Sequence, residues 1–320
     1  MYKFYILLLL LLTTGFSCEK KQEHLIDLKP IYTDFENVWE ERNFFGKVLE
    51  VEWYKTEFQN DKKDGKSILK LKEKFTAFGA LKEITNFDNV GKLIQKDEFE
   101  FDAKEFFTKS VSTNKRASIN YILTVQNDSI NKTSTRNILI NDSIKQVVKV
   151  FYNNKDYVIK QIAFEQNDTT IFHYKYKFNK ADKIISEIQF EENIEEPFST
   201  NEYEYDDNGN LIKFSYKTKW TEFITETEWK NERIYKKTEY TVSEDLKKYL
   251  NEVTEYDELF NPINSKTYKN SQLNRELNYQ YKFDKIGNWI MRNVSMKEHF
   301  LDSNKFTPIY EENRKFKYWE

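Results

Sequence analysis

One short phrase recurs down this chain, and its clearest copy is YEYDDNGNLIKFSY at 203–216. Aromatic and charged residues alternate up to Asp206, Asp207, Asn208 and Gly209, then alternate again. Alternation, turn cluster and alternation spell a β-hairpin. Asp at the first turn position hydrogen-bonds the backbone ahead of it, and Asn-Gly supplies positive φ without a Cβ clash. Successive strand side chains point to opposite faces, so Tyr203 and Tyr205 share a face, as do Ile212, Phe214 and Tyr216. Glu202, Glu204, Lys213 and Lys217 take the other. One face is aromatic and needs covering; the other is an acid and base lattice suited to water.

Written as aromatic, Asp or Asn, two spacers, Gly or polar, spacer, aliphatic, the phrase starts again at Phe87 (FDNVGKL), Phe178 (FNKADKI) and Phe283 (FDKIGNW). Weaker copies start at Phe75, Phe101 and Tyr152, with a shorter one at Trp229 and a longer one at Tyr256. From Tyr152 the anchors run 152, 178, 205, 229, 256 and 283, with gaps of 26, 27, 24, 27 and 27. Near-constant spacing of the turn chemistry marks an internal repeat. A period near 26 holds two strands and two connections of ordinary length.

The expected fold is all-β: an antiparallel meander of repeated β-hairpins, ~16 to 20 strands, forming a long twisted, curled or partly closed sheet. A short N-terminal helix is expected at 34–45, where Phe35, Val38, Trp39 and Phe45 fall at near-helical spacing and Thr33 or Asp34 caps the start. The first strand begins at Lys47, followed by a polar loop at 60–66 with Asp64 and Gly65 as its turn. Residues 110–149 fit the repeat least well, although YILTV and QVVKV read as strands. At 243–253, Leu246, Tyr249, Leu250 and Val253 suit either a short helix capped by Ser243 or an irregular loop.

Residues 1–17 read as a secretory signal: Lys3 precedes an unbroken apolar run, Ile6 to Leu12, too short to span a bilayer. The run ends at Gly15, Phe16, Ser17, Cys18, which resembles the lipobox of bacterial lipoproteins. Cys18 is the only cysteine, so it has no disulfide partner, and lipidation is its expected fate. The domain plan is therefore 1–17 signal, 18–46 tether and short helix, and 47–320 repeat domain. Attachment to the membrane is by the lipid anchor, and the outer membrane's periplasmic side is favoured over the cell surface because EKKQE after Cys18 lacks an acidic export run. A formal charge of -3 with interleaved signs gives no nucleic-acid surface.

YEYDDNGNLIK and YKFDKIGNWIMR resemble the YD repeats of the RHS family. The whole layout, with GKVLEVEWY leading into repeated aromatic-Asp hairpins behind a lipoprotein signal, is similar to RHS-repeat-like lipoproteins of the Bacteroidota. The resemblance covers residues 46–320 in outline. In large RHS proteins it implies a spiralling sheet that encloses a toxin. This chain is too short for such a shell, so that activity is not carried over.

No catalytic, metal or cofactor motif accompanies the repeat. His24, His173 and His299 lie far apart, in no ligand or triad spacing. Asp88, Asp206, Asp257 and Asp284 are explained by their turns, and Lys180, Lys183, Lys230 and Lys285 intrude where calcium would need converging oxygens. The aromatic stripes are either core or a ligand platform, for which Trp220, Trp229 and Trp289 are the candidates. The expectation is a non-enzymatic binding or scaffolding module for protein or glycan. Alternatives are a periplasmic carrier of an apolar ligand and an immunity or antitoxin-like partner protein. Edge strands at either end of the sheet offer strand addition to another chain.

Overall fold

The structure, a computed structural model, describes residues 42–59, 62–166, 168–299 and 305–320. Every regular element in them is a strand. In chain order these are β1 Val48–Gln59, β2 Lys62–Phe75, β3 Leu81–Phe87, β4 Leu93–Phe101, β5 Phe107–Asn114, β6 Ile119–Asp128, β7 Thr133–Ile140, β8 Ser143–Tyr152, β9 Val158–Glu165 and β10 Asp168–Phe178. The second half comprises β11 Ile184–Glu191, β12 Ser199–Tyr205, β13 Leu211–Thr218, β14 Glu222–Lys230, β15 Arg233–Val242, β16 Lys248–Tyr256, β17 Pro262–Lys269, β18 Gln272–Phe283, β19 Trp289–Glu298 and β20 Thr307–Tyr318.

Each strand pairs antiparallel with the next, and β20 returns to pair antiparallel with β1, from Val48 opposite Tyr318 to Glu57 opposite Tyr310. An antiparallel meander closes on itself this way only with an even number of strands. The sheet is thus a closed 20-stranded barrel, not an open or partly closed one. Closure removes both edges, so the expectation of a partner added as an extra strand is corrected.

Two local expectations are also corrected. Residues 243–247 form a tight turn, with Leu246 at φ 60° and exposed, and 248–256 is β16. Neither a helix nor a loose loop is present: Thr241 and Val242 pair with Tyr249 and Lys248, and sheet pairing outweighs the helical spacing of the leucines. Gly65 lies inside β2 rather than in the turn before it. Residues 34–41 of the expected N-terminal helix lie outside the described residues. Its last residues, 42–45, are a turn and non-helical chain.

Because the repeat is one hairpin long, successive copies of its turn fall on the same rim of the barrel. Seven connections there share one geometry, beginning at Thr76, Asp102, Asn153, Asn179, Asp206, Asp257 and Asp284. The first residue's N–H donates to the carbonyl four residues on, and the fourth residue's N–H donates back to the first residue's carbonyl. The first side chain also accepts: Asp257 Oδ1 takes the N–H groups of Leu259 and Asn261 at 2.9 and 2.8 Å. The fourth residue is left-handed, as at Gly209 (φ 83°), Gly287 (φ 103°), Glu105 (φ 68°) and Phe260 (φ 60°). A register shift follows each turn, the mark of a bulge beside a tight hairpin. We call this the proximal rim, since residues 42–46 enter the barrel there. The copy at Phe87 and Asp88 is one strand out of phase and lies on the opposite, distal rim.

Register assigns every strand residue to one of two wall faces. Tyr203 sits opposite Phe214 and Asn201 opposite Tyr216 on one face, Glu204 opposite Lys213 on the other. Followed strand by strand, the first face contains Phe172, Val150, Val51 and Val294, all at most 2% exposed, and is the inner one. The outer face carries ion pairs such as Glu204–Lys213 (2.5 Å), Glu228–Lys236 (2.6 Å), Glu83 with Lys74 and Lys96 (2.9 and 3.2 Å), and Glu50 with Lys317 and Lys72 (2.6 and 3.0 Å). Each exposed pair contributes only ~0.2–1 kcal/mol, but together they set which face meets water.

Candidate functional site

Twenty strands spaced about 4.8 Å apart give a wall perimeter of roughly 100 Å, whereas eight strands is about the size that side chains alone fill. The inner face therefore lines a lumen. It is open near the distal rim at Tyr121 and Phe223, 44% and 48% exposed, and filled along β7–β10, where inner Ser134, Val148 and Phe172 are at most 4% exposed and Phe198 packs on Phe172.

Near the proximal rim the lumen is occupied by the chain itself. Phe44, 6% exposed, packs edge-on against Phe75 and Phe316 with ring centroids 5.8 and 5.3 Å away. Arg42 reaches Glu73 at 2.9 Å. Asn43 donates to the Leu259 carbonyl across the rim, and Phe45 exchanges hydrogen bonds with the Asn288 side chain at 2.7 and 2.8 Å. Behind this strap, the Arg314 guanidinium lies 3.5 Å from the Trp53 ring and 3.3 Å from the Trp289 ring. Burial, with the like charge of Arg292 next, disfavours the charged form of Arg314; the two tryptophan faces offset part of that penalty. This cluster locks β19, β20 and β1 together.

A different inner surface runs along β9–β13. Tyr174 donates to Gln161 Oε1 at 3.0 Å and accepts from Gln189 Nε2 at 3.2 Å, while Ser199 donates to Gln189 Oε1 at 3.0 Å. Tyr176 donates to the Val158 carbonyl at 2.9 Å, and Tyr203 stacks obliquely on Phe214 at 5.3 Å. Asn201 Nδ2 donates to Glu187 Oε2 at 3.3 Å, and Asn201 Oδ1 is buried without a hydrogen-bond partner in the protein. Burial raises the Glu187 carboxyl, partly offset by Asn201, and burial followed by the Glu187 charge raises the phenols of Tyr174, Tyr176 and Tyr203. All these rings are half-buried and face the lumen, and the Tyr174 and Tyr176 hydroxyls are tied to the neighbouring strand.

Along β14–β18 the inner wall is more charged. Glu239 sits directly opposite Glu252, and burial, then that like charge, raises Glu239. Glu252 Oε1 accepts from Thr254 and Ser265 at 2.9 and 2.6 Å.

The three tryptophans singled out as a platform are not brought together. Trp289 is 6% exposed and belongs to the Arg314 cluster. Trp229 is half-buried at the proximal rim and donates to the Leu211 carbonyl at 2.9 Å. Trp220, 53% exposed, stands in the β13–β14 turn at the distal rim. His173 faces Glu192 and His299 faces Glu276, both at 3.5 Å, on separate parts of the wall; His24 and Cys18 lie outside the described residues. Oxygens at the proximal turns are engaged by lysines: Lys155 on Asp182 at 2.8 Å, and Lys183 on the Gly209 carbonyl at 2.7 Å. Sequence reasoning missed the amide and carboxylate partners Gln161, Glu187, Gln189 and Asn201. Continuing the alternation from Tyr203 into its neighbouring strands is the signal that reaches them.

No helix among the described residues is long and apolar enough to cross a membrane. The strands also lack a lipid-facing surface, because the outer wall is the charged one: even along β8–β10, where Val147, Ile162 and Ile171 face outward, Lys149, Lys160, Lys175 and Lys177 stand among them. A lysine facing lipid at mid-bilayer costs ~2–4 kcal/mol. The outer face is thus charged where that of a membrane-spanning barrel is apolar.

No known protein family and no curated protein matches the sequence. Among solved structures the chain is similar to a porin-like protein from Bacteroides uniformis, with TM-score 0.32 and 9% identity over 84% of this chain and 96% of that one. A porin-like protein from Bacteroides vulgatus gives TM-score 0.29 and 8% identity over 85% and 98%. TcdB2-TccC3 without its hypervariable C-terminal region gives TM-score 0.28 and 12% identity over 78% of this chain and 15% of that one.

Proposed function

We propose that this chain is a non-catalytic binding barrel of the bacterial cell envelope, lipid-anchored through Cys18 on the periplasmic side of the outer membrane, which holds a glycan or protein segment against its inner wall. The observation that carries this reading is the wall of β9–β13, whose aromatic and amide side chains face a lumen, while the outer wall carries an ion-pair lattice. Residues 42–46 strap the proximal mouth, so the ligand enters through the distal one, beside Trp220, Phe223 and Tyr121.

The reading as a carrier of a wholly apolar ligand is less favoured. Glu187, Glu239 and Glu252 would lose water to such a ligand without gaining a hydrogen bond.

Oxidative footprinting of the full-length protein, first purified and then in detergent-solubilised envelope, tests the reading. Inner Tyr216 and Phe223 are expected to gain protection in the envelope, and outer Tyr240 is not. Protection confined to Tyr240 would overturn binding in the lumen. Cys18→Ser is expected to abolish acyl labelling and release the protein from membranes; a variant still labelled removes the anchor.

A further inference from the structure

We infer that the inner wall of β9–β13 is a binding track for an uncharged oligosaccharide, a deepening that rests on the lumen-binding reading above. The rings form a continuous path. Tyr203 stacks on Phe214, and Tyr216, one inner position along β13, pairs with Phe223 on β14, which leads to the distal rim and Trp220. Sugar rings present flat C–H faces and a rim of hydroxyls, so they need aromatic faces flanked by planar side chains that both donate and accept. Gln189 and Asn201, facing each other's strands on β11 and β12, stand at that flank. An acyl chain would take water from the Glu187 carboxylate without giving it a hydrogen bond.

The alternatives are weaker for reasons of geometry. An extended peptide binds most readily along a strand edge, and the closed wall has none. A polyanion would have to pass Glu187 on a stretch of wall whose inner residues are chiefly aromatic, amide and hydroxyl. The Tyr174 and Tyr176 hydroxyls are tied back to the wall and Tyr203 rests on Phe214, so these rings are already ordered and binding loses little side-chain entropy.

The test is titration of the full-length protein in detergent with neutral hexasaccharides, β-1,4 glucan, α-1,4 glucan and chitin hexamers, read by tryptophan fluorescence and calorimetry. At least one is expected to bind. Tyr203→Ala is then expected to weaken it about tenfold or more, and Tyr203→Phe, which keeps the ring, to change it by less than about threefold. Unchanged thermal midpoints establish that both variants fold; if Tyr203→Ala does not, Asn201→Ala serves, with the same loss expected. A parallel titration with a neutral decapeptide and a C16 fatty acid separates the two levels of the argument. If either binds the lumen while every sugar fails, the glycan assignment falls and lumen binding stands. If none of the three binds, or if bound sugar is insensitive to both Tyr203→Ala and Asn201→Ala, the track is overturned.

Discussion

The two rims of this barrel are built from overlapping turn chemistry and have come to differ in what lies inside them. On the proximal rim seven of the nine connections share one geometry, the β6–β7 turn and the two-residue Asn231-Glu232 turn of β14–β15 being the exceptions, and several hairpins are tied to a neighbour. Tyr205 donates to the Ile184 carbonyl at 2.9 Å, Tyr281 to that of Pro262 at 2.8 Å, and Lys132 reaches Asp156 at 2.5 Å. The same rim receives Phe44 and the Arg314 cluster. On the distal rim the turns at Asp88 and Ser243 have the proximal geometry, but the β7–β8 and β17–β18 connections shrink to two residues, Asn141-Asp142 and Asn270-Ser271, all at positive φ. Val90, Ile144, Trp220 and Leu246 are exposed there. What sets the proximal end apart is the strap of residues 42–46 and the Arg314 cluster behind it, with several of its turns tied side to side.

Tryptophan replacement tests that contrast hardest. Trp289→Ala removes a buried ring that Arg314 and Trp53 pack against, with an expected loss of ~3–5 kcal/mol in urea unfolding. Trp220→Ala is expected to cost no more than ~0.5 kcal/mol. Equal costs would mean the proximal cluster is not what holds the barrel shut.

Glycine replacement gives the next largest effect. Gly209 and Gly91 have nearly the same φ, 83° and 80°, so valine strains the backbone at both by ~1–2 kcal/mol. At Gly209 a Cβ would also stand 2.7 Å from Lys183 Nζ and disturb its bond to the Gly209 carbonyl, whereas at Gly91 the nearest atom is Ile68 Cγ2 at 3.6 Å. Gly209→Val is therefore expected to lower the thermal midpoint further than Gly91→Val. The reverse order would argue that the ties between proximal hairpins contribute nothing.

Smaller, and of opposite sign, is the gain from giving glycine to left-handed positions that lack it. Glu105→Gly on the proximal rim and Leu246→Gly on the distal rim are each expected to stabilise by ~0.5–1 kcal/mol, since both hold the same strained turn position at φ 68° and 60°. A gain on one rim alone would show that the shared geometry is not a shared energy.

Acid should produce the mildest change. Hydrogen bonds from the Lys92 and Val90 amides hold Asp88 below the ordinary aspartate value of 3.8. At Asp206 burial pulls the carboxyl up, but the Asn210 side chain and turn amides outweigh it and hold it low too. A depressed carboxylate stabilises its turn above the ordinary value and loses that as pH falls through the depressed one. Amide exchange at Val90, Lys92 and Asn210 is thus expected to quicken below about pH 3.8 on both rims. Insensitivity at either would remove the aspartate from the account of that turn.

The turns at Asp206, Asp257 and Asp284, and the face shared by Tyr203, Phe214 and Tyr216, were legible in the chain because both depend on neighbours a few residues apart. The strands YILTV and QVVKV were legible for the same reason. The Phe87 copy shows where that legibility ends. Its turn is formed as its residues imply, yet nothing local to it distinguishes one rim from the other; only counting strands from a fixed start does. The leucines at 243–253 misled because helical spacing over a few residues weighs less than a strand's worth of ladder bonds.

What the amino-acid sequence determined by itself is the hairpin: alternation, a turn residue that accepts backbone N–H groups, and a fourth position that tolerates positive φ are all local demands. Closure of β20 onto β1, the Arg314 sandwich, and the choice of lumen for the aromatic face belong to the tertiary structure. Closure and the Arg314–Trp53 contact join residues more than 200 positions apart, and all three turn on how small twists and register shifts accumulate over twenty strands, a sum that no single repeat contains.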